Sequence, residues 1–274
     1  MTEAERAGFI ETVWDYYAKH GRHDLPWRIP EADGSFNPYK IVVSELMLQQ
    51  TQVARVIPKY AAFLARFPSA RALAEAELGD VLRAWQGLGY NRRAKFLWQA
   101  AQRVVEQGSF PHTVSDLMRL PGVGANTAGA IAAYAFNQPA VFVETNIRSV
   151  YMYHFTRDDH IVSDDFIRDA VARTLDSEHP REFYWALMDY GTYLKTKVRN
   201  NQQSKHYVKQ STFHGSKRQV RGQVLRLLSA QAYTSKQLAA AISDERLLLV
   251  LTELKQEGLI MQKKRTYHLA DGTI

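Results

Sequence analysis

The sequence predicts a protein built almost entirely of helices, with a small C-terminal module that adds a β-hairpin. Helical periodicity of apolar residues recurs from Tyr39 to about Glu182, and long runs of strict polar–apolar alternation are not found in that stretch. Proline and glycine divide the periodic segments and leave short connections between them. These observations favour an all-α fold, and 274 residues suffice for one large domain or two to three small ones.

The first predicted helix covers residues 3–20 and ends at a turn at Gly21. An irregular stretch follows, because prolines and a glycine interrupt the pattern up to residue 38. From Tyr39 onwards the pattern predicts successive helices. The expected breaks between them are Pro58, Pro68, Gly87–Gly89, Gly108, Pro111, Gly122 and Pro139.

A separate module is predicted for residues 218–274. Helices are expected over 218–230, 235–242 and 244–257. Residues 259–262 and 266–269 then form a hairpin whose turn is Lys263 and Lys264. Three helices and a hairpin with a basic tip resemble a winged helix, which binds DNA in some proteins and serves dimerisation or packing in others.

A basic segment precedes this module. Between Lys195 and Arg221 the chain carries eight lysines or arginines and no acidic residue, and residues 200–204 are polar. This composition predicts a linker or loop over residues 196–217. The segment is either a solvated linker or a strip that faces phosphate groups, and the net charge of +7 agrees with both interpretations.

Bulk composition excludes several classes of protein. The chain contains no cysteine, which excludes disulfides, thiolate metal sites and iron–sulfur clusters. No window reaches the roughly 18 consecutive apolar residues of a membrane span. Acidic residues stand near the start, where a signal peptide would carry a basic stretch and then an apolar one. We therefore expect a cytoplasmic, nucleoid-associated protein without a metal cofactor.

The segment Leu120–Gly124 has the sequence Leu-Pro-Gly-Val-Gly. A proline-glycine-x-glycine turn between two helices exposes consecutive backbone N–H groups, and these suit a DNA phosphate. The hairpin is expected near residues 115–131. Its predicted phosphate contacts are Gly122, Val123, Gly124 and Thr127.

Two glutamates lie in unlike settings. Glu45 is flanked by apolar residues on a predicted helix, so partial desolvation should raise its pKa and let it hold a proton near neutral pH. Glu144 precedes Thr145, a candidate helix N-cap, and amides at a helix start favour an ionised acid. One protonated and one ionised carboxyl group suit cleavage of a glycosidic bond. A surface ion pair for Glu45 and a capping role for Glu144 are the alternatives.

Several ordered motifs resemble the helix-hairpin-helix DNA glycosylases, the superfamily of endonuclease III. The motifs are Ser44–Val53, Gly87–Tyr90, Leu120–Ile131 and Asn146–Arg148, and the resemblance covers roughly residues 8–195. The segment Leu25–Arg28, Leu-Pro-Trp-Arg, is similar to the adenine DNA glycosylases. The resemblance implies an all-α, two-lobed glycosylase domain over residues 1–195.

The resemblance also implies catalytic roles. Glu45 would be the general acid that protonates the departing base, and Glu144 would stabilise the cationic sugar. Asn146 matches a position that orients the catalytic acid, and an ordinary turn asparagine is the alternative. Bifunctional relatives carry a lysine where this chain has Asn126, so a monofunctional enzyme is expected, with Asn126 touching the extruded base or the water.

Further positions match the parts of the family that grip DNA. Trp27, Arg28 and Gln49 would line the base pocket. Gln50 and Tyr90, with Leu88 beside them, would fill the gap that the extruded base leaves. For the aromatic residues, packing in the core is the alternative. Arg92, Arg93 and Lys95 are expected phosphate contacts, unless they form a solvated helix face.

The chain departs from the family pattern in ways that leave its substrate open. Lys195 stands where the first cysteine of an iron–sulfur cluster belongs, Glu144 replaces an aspartate, and Asn91 stands where the adenine branch has a second tyrosine. The C-terminal module looks unrelated to the domain that recognises oxidised guanine. The target is therefore adenine or an oxidised or deaminated pyrimidine such as uracil or hydroxyuracil.

The expected partner is double-stranded DNA that contains a damaged or mispaired base, and a monomer is expected. Relatives often bind a monovalent cation at the hairpin, which implies the same here. The rival interpretation is a non-catalytic DNA lesion-binding protein on the same scaffold.

Overall fold

The computed structural model describes residues 1–156, 161–198, 204–205 and 212–271, and these residues are mostly helical. The helices up to the basic segment are α1 (Glu3–His20), α2 (Pro38–Leu48), α3 (Val53–Arg66), α4 (Ala70–Ala74), α5 (Leu78–Ala84), α6 (Arg92–Gln107), α7 (Val114–Leu117), α8 (Ala125–Phe136), α9 (Thr145–Phe155), α10 (Asp164–Thr174) and α11 (Pro180–Lys197). The C-terminal elements are α12 (Lys217–Ala230), β1 (Tyr233–Thr234), α13 (Ser235–Ala241), α14 (Leu247–Gln256), β2 (Ile260–Lys263) and β3 (Thr266–Leu269). The predicted helical class is confirmed, as is the first helix, which a capping box at Thr2 starts.

The chain divides into two compact units, and the first comprises residues 1–45, 111–119 and 123–209. Its core forms around α11, which packs against α9, α1 and α8. At Gly191 a Cβ atom would lie 2.3 Å from the backbone oxygen of Asn146. Since any side chain would collide with that backbone, glycine is required for the close approach of α11 to α9.

The second unit comprises residues 46–110, 120–122 and 210–274. In it α6 packs against α4 and α5, whereas α12 packs against α14, β3 and α5. The C-terminal elements and helices α3 to α6 therefore belong to the same compact unit.

The C-terminal sheet is antiparallel, with strand order β1–β3–β2. β2 and β3 pair from Ile260 opposite Leu269 to Lys263 opposite Thr266, which confirms the predicted hairpin. Its turn is one residue later than predicted, because Lys263 is still paired and Lys264 takes the left-handed backbone conformation, with φ 55°. The sequence analysis missed β1, because two residues are too few to show alternation.

Two predicted helix boundaries were wrong. α3 continues through Pro58, since burial of Val56, Tyr60 and Phe63 along one face outweighs the hydrogen bond that proline removes. The helix expected from Asp244 starts at Leu247. Asp244 instead accepts hydrogen bonds from the backbone and side chain of Arg246 and forms a turn.

The basic segment is described only in part. α11 extends to Lys197, so the first residues of the predicted linker are helical. Residues 199–203 and 206–211 lie outside the described residues, and most of the linker prediction lies there with them. In the part of the chain that the structure describes, no helix has the length and apolar character needed to cross a membrane.

Candidate active site

Glu45 lies near the end of α2, in the first compact unit. Its neighbours Ile41, Val42 and Val43 are at most 3% exposed, whereas Glu45 keeps partial access to solvent. Burial raises the pKa of Glu45 well above its usual value, the negative charge of Glu144 raises it further, and Arg28 has a smaller opposite effect. The raised pKa suits Glu45 to the role of a proton donor, and its partial exposure leaves it open to a substrate.

Glu144 is itself the N-cap residue of α9, which corrects the prediction that Thr145 caps this helix. Its carboxylate makes no capping hydrogen bond. Burial raises the pKa of Glu144 too, and the nearby Arg148 guanidinium opposes this rise. Arg148 is held in place by two hydrogen bonds to Asp164, of 2.8 and 2.9 Å.

The pKa values of the two carboxyl groups are raised to different extents. The pKa of Glu45 is raised the more strongly, because Glu144 repels its charge in addition to the effect of burial. At Glu144 burial also raises the pKa, but the nearby Arg148 guanidinium favours the ionised form. In such a pair the loss of the first proton leaves one negative charge to be shared, and the stronger rise in pKa at Glu45 favours Glu45 as the member that holds the remaining proton.

Tyr134 and Trp185 complete this site, and the sequence analysis missed both. Burial raises the pKa of the Tyr134 hydroxyl far above its usual value, and the charges of Glu45 and Glu144 raise it further, so Tyr134 lies near both acids. Trp185 stacks on Tyr134 with ring centroids 5.9 Å apart. Each is at most 6% exposed, and in the sequence each looks like an ordinary core aromatic, so no sequence signal separates them from the core.

Arg28 lies in the same unit, above the Trp185 ring at 5.3 Å. Its guanidinium donates to both carboxylate oxygens of Asp189, at 2.7 and 3.0 Å, and Arg22 donates to Asp189 as well. Burial alone would raise the pKa of Asp189, but hydrogen bonds from Arg28 and then Arg22 hold it below its usual value. The Nε–H of Arg28 is buried and has no acceptor among the described residues. Trp27 beside it is 6% exposed.

The two predicted asparagines make local contacts. The Asn126 Oδ1 atom accepts a hydrogen bond from the Val143 backbone N–H at 3.3 Å, which ties α8 to the segment that leads to Glu144. The Asn146 Oδ1 atom accepts one from the Lys195 ammonium at 2.8 Å. Lys195, which stands at the expected position of a cluster cysteine, therefore contacts the first turn of α9.

The hairpin between α7 and α8 adopts the predicted turn. Gly122 has φ +79°, and a Cβ atom there would lie 2.7 Å from Cβ of Phe96, so glycine is required. Gly124 is the N-cap of α8 and has no side chain to cap it, which leaves the first amides of the helix available to an anion. Residues 118–124 carry no oxygen in their side chains, so their carbonyl oxygens are the donors that a monovalent cation would find there.

The predicted wedge residues belong to the second unit. Gln50 and Tyr90 both take the left-handed backbone conformation, with φ 53° and 46°, which is strained for residues other than glycine. Tyr90 is 38% exposed and Gln50 is also exposed. Leu88 differs from them, since it is 3% exposed. Gln49 is half-buried.

Arg93 holds these two segments together, which corrects its expected role as a phosphate contact. It is 7% exposed, and its pKa is lowered to about 10 by burial. Its guanidinium nitrogens donate to oxygens at the end of α2 and in the 87–90 loop. The acceptors are the backbone carbonyls of Leu46, Met47, Gln49, Leu88, Gly89 and Tyr90 and the hydroxyl of Thr51. Arg93 lies four and eight residues before the buried Leu97 and Ala101, so the three share one face of α6. This spacing was the feature of the sequence that indicated a buried Arg93.

The Lys95 ammonium donates to the Glu257 backbone oxygen at 2.8 Å, so it contacts the end of α14, and its expected phosphate contact stays a prediction. Within the described residues, no three histidine or acidic side chains are grouped as a metal site would require. The chain lacks cysteine altogether, so the residues do not fit an iron–sulfur cluster.

Part of the chain that holds these residues matches a known protein family. Residues 43–168, which contain Glu45, the hairpin and Glu144, match the family described as the HhH-GPD superfamily base excision DNA repair protein. An adenine DNA glycosylase of Buchnera aphidicola subsp. Baizongia pistaciae is 35% identical over 192 residues, which cover 68% of this chain and 52% of the relative. The chain spans about half the length of the curated relatives it matches.

Solved structures share the fold at lower identity. A thermostable thymine-DNA glycosylase has a TM-score of 0.59 at 23% identity, covering 69% of this chain and 86% of that chain. An endonuclease III in a non-covalent complex with DNA has a TM-score of 0.59 at 17% identity, covering 74% and 98%. The endonuclease III-like fold is thus confirmed, and over residues 43–168 this chain belongs to the HhH-GPD superfamily of base excision DNA repair proteins.

Proposed function

We propose that this protein is a monofunctional DNA N-glycosylase of base excision repair and that the base it releases is adenine. The observation that carries the proposal is the pair Glu45 and Glu144: burial raises the pKa of Glu45, the charge of Glu144 raises it further, and Arg148 opposes the rise at Glu144. The choice of adenine rests on the names of the curated relatives. A mere DNA binder would gain nothing from a pair of acids at this place, since negative charge repels phosphate.

The proposed reaction begins with a base that has left the duplex stack. Glu45 donates its proton to a ring nitrogen of the base as the bond between that base and C1′ of the sugar breaks, and the bonding electrons leave with the base. The carboxylate of Glu144 stabilises the oxocarbenium-like sugar. Water then adds to C1′ and gives a proton to the Glu45 carboxylate, which leaves free base, an abasic site and a reprotonated Glu45.

Strand cleavage is not part of the proposed reaction. A lyase step needs an amine that attacks C1′, and the chain has Asn126 where bifunctional relatives carry lysine. The contact of Asn126 with Val143 supports a role in holding the segment before Glu144.

The proposed base pocket uses Arg28, Trp185 and Tyr134, with Trp27 next to Arg28 in the sequence. Trp185 and Tyr134 form a stacked aromatic pair with Arg28 above the Trp185 ring, and this group would make the wall of the pocket. Asn146, held by Lys195, lies in the first turn of α9 beside Glu144 and is proposed to orient the catalytic acid.

The proposed partner is double-stranded DNA, bound by a monomer. Backbone amides from Gly122 to Thr127 would hold a phosphate, while Gln50 and Tyr90 would fill the gap in the stack. We also propose that residues 218–274 form a winged-helix-like domain. Its support is the element order of helices α12 to α14 with the β1–β3–β2 sheet.

The test is a panel of labelled duplexes that contain adenine opposite oxidised guanine, adenine opposite guanine, uracil opposite guanine, thymine opposite guanine and hydroxyuracil opposite guanine. We expect strand breaks at the adenine of the first two duplexes, and only after hot alkali has cleaved the abasic site. Breaks without alkali would contradict the monofunctional assignment. Release of uracil, thymine or hydroxyuracil instead of adenine would assign a pyrimidine as the substrate. Binding of the duplexes without release of any base would favour the lesion-binding alternative.

The single-turnover rate of base release should fall on both sides of an optimum as pH is varied. Glu45 must carry a proton, and its raised pKa delays the loss of that proton, so the rate falls when pH rises through that pKa. Glu144 must be ionised, so the rate also falls when low pH protonates it. Rate constants measured at saturating protein between about pH 5 and pH 9 would show this shape. A rate that keeps rising with pH would identify Glu45 as a base that must be ionised.

A further inference from the structure

The 87–90 loop and the C-terminal elements meet in the second compact unit. The Arg218 Nη1 atom, at the start of α12, donates a hydrogen bond of 3.0 Å to the Tyr90 hydroxyl. Two further contacts involve one residue before this loop and one residue after it. The Gln86 side chain donates to the Leu225 backbone oxygen at 3.4 Å, and Lys95 donates to the Glu257 backbone oxygen at 2.8 Å. The C-terminal elements thus contact the chain before, within and after this loop.

Tyr90 is held at more than one point. The Arg93 guanidinium lies 5.5 Å from the centre of its ring, while Arg218 binds its hydroxyl group. The backbone of Tyr90 is in the left-handed region, which a tyrosine adopts only when its surroundings impose it. An exposed tyrosine usually samples several rotamers, and two guanidinium contacts restrict that freedom.

We propose that Arg218 is a positioning residue for base extrusion, which sets the orientation of the Tyr90 ring before DNA binds. This inference rests on the proposed function, because it takes Tyr90 as the side chain that enters the duplex stack. The C-terminal elements then contribute to the reaction through Tyr90. Fixing the ring in advance removes an ordering cost from the extrusion step, as pre-organisation does in other complexes.

The test uses the full-length protein and a duplex with 2-aminopurine in place of the target adenine, opposite oxidised guanine. 2-Aminopurine fluoresces more strongly when it leaves the stack, so the rise at times that are short compared with base release reports extrusion. We expect Arg218→Ala to lower the rate of the fluorescence rise roughly tenfold, the size of effect that loss of one charge-assisted hydrogen bond produces. Arg218→Lys should recover part of the rate.

Tyr90→Phe removes the same hydrogen bond from the other side and leaves α12 unchanged. It should lower the rate by a similar factor, and the double variant should be no slower than either single variant. Arg226→Ala removes an equal charge from an exposed position on α12 and should leave the rate unchanged. If the effects of Arg218→Ala and Tyr90→Phe multiply instead, Arg218 acts on DNA directly and the inference is overturned.

The outcomes also separate this inference from the proposed function. A fluorescence rise without base release in the duplex panel, with the variant pattern above, would overturn the glycosylase and support the positioning role. Normal extrusion by Arg218→Ala, in a protein that releases adenine, would overturn the positioning role alone. A wild-type protein that produces no fluorescence rise would also overturn it.

Discussion

Replacing Glu45 with glutamine is expected to lower the single-turnover rate of base release by about 10²- to 10⁴-fold, the range that loss of a general acid produces. Glutamine has nearly the same shape as glutamic acid but cannot donate the proton that the departing base needs. DNA affinity should change little, because Glu45 is not among the predicted phosphate contacts. Single-turnover kinetics and a binding isotherm on the same duplex would measure both quantities.

The stability of this variant provides its control. A carboxyl group whose pKa is raised by folding weakens the fold as pH rises through the folded-state pKa, since ionisation is then easier in the unfolded chain. Glutamine does not titrate, so Glu45→Gln should melt at the same temperature as the wild type or slightly higher at pH 8. Glu11→Gln, the same change at an exposed position of α1, should leave both rate and melting temperature unaltered. A Glu45→Gln protein that melts well below the wild type would mean that its inactivity is a folding defect.

Replacing Glu144 with glutamine should lower the rate of base release by about 10²- to 10³-fold, the effect of removing one electrostatic contact to a developing charge. Glu144→Asp keeps the charge but shortens the side chain by one methylene, which restores the residue of the family. We expect this variant to retain most of the activity, because Arg148 is fixed by Asp164 and continues to favour the ionised form. Comparing the three proteins under single-turnover conditions separates the charge from its position.

The melting temperature of Glu144→Gln and its rate of base release together test the role of Glu144. As N-cap of α9 the residue makes no side-chain capping hydrogen bond, so Glu144→Gln should not shift the melting temperature by more than the effect of one charge at a helix terminus. If Glu144→Gln releases base as fast as the wild type, Glu144 is only a residue at the start of α9. The site would then need another source of negative charge.

The sequence predicted the helical framework well because a buried helix face leaves a regular apolar pattern. It predicted α1 to the residue, the glycine turn of the hairpin and the β2–β3 pair. It missed β1 and misread Pro58, because tertiary packing decides the outcome for very short strands and for a proline in a strongly amphipathic helix. It also identified Glu45 and Glu144 as acids in different settings.

The sequence by itself therefore determined the local features of this protein: which segments are helices, where a turn needs glycine, and which acids stand beside apolar residues. Only the tertiary structure decided which distant residues share an environment. A pKa depends on all charges and on burial from every neighbouring segment, so the interaction of Glu45 with Glu144 and the place of Tyr134 required the fold. The burial of Arg93 also depends on neighbouring segments, so in the sequence Arg93 looked like a surface cation. In the fold, packing encloses Arg93, and its guanidinium holds the segments of Gln50 and Tyr90 together.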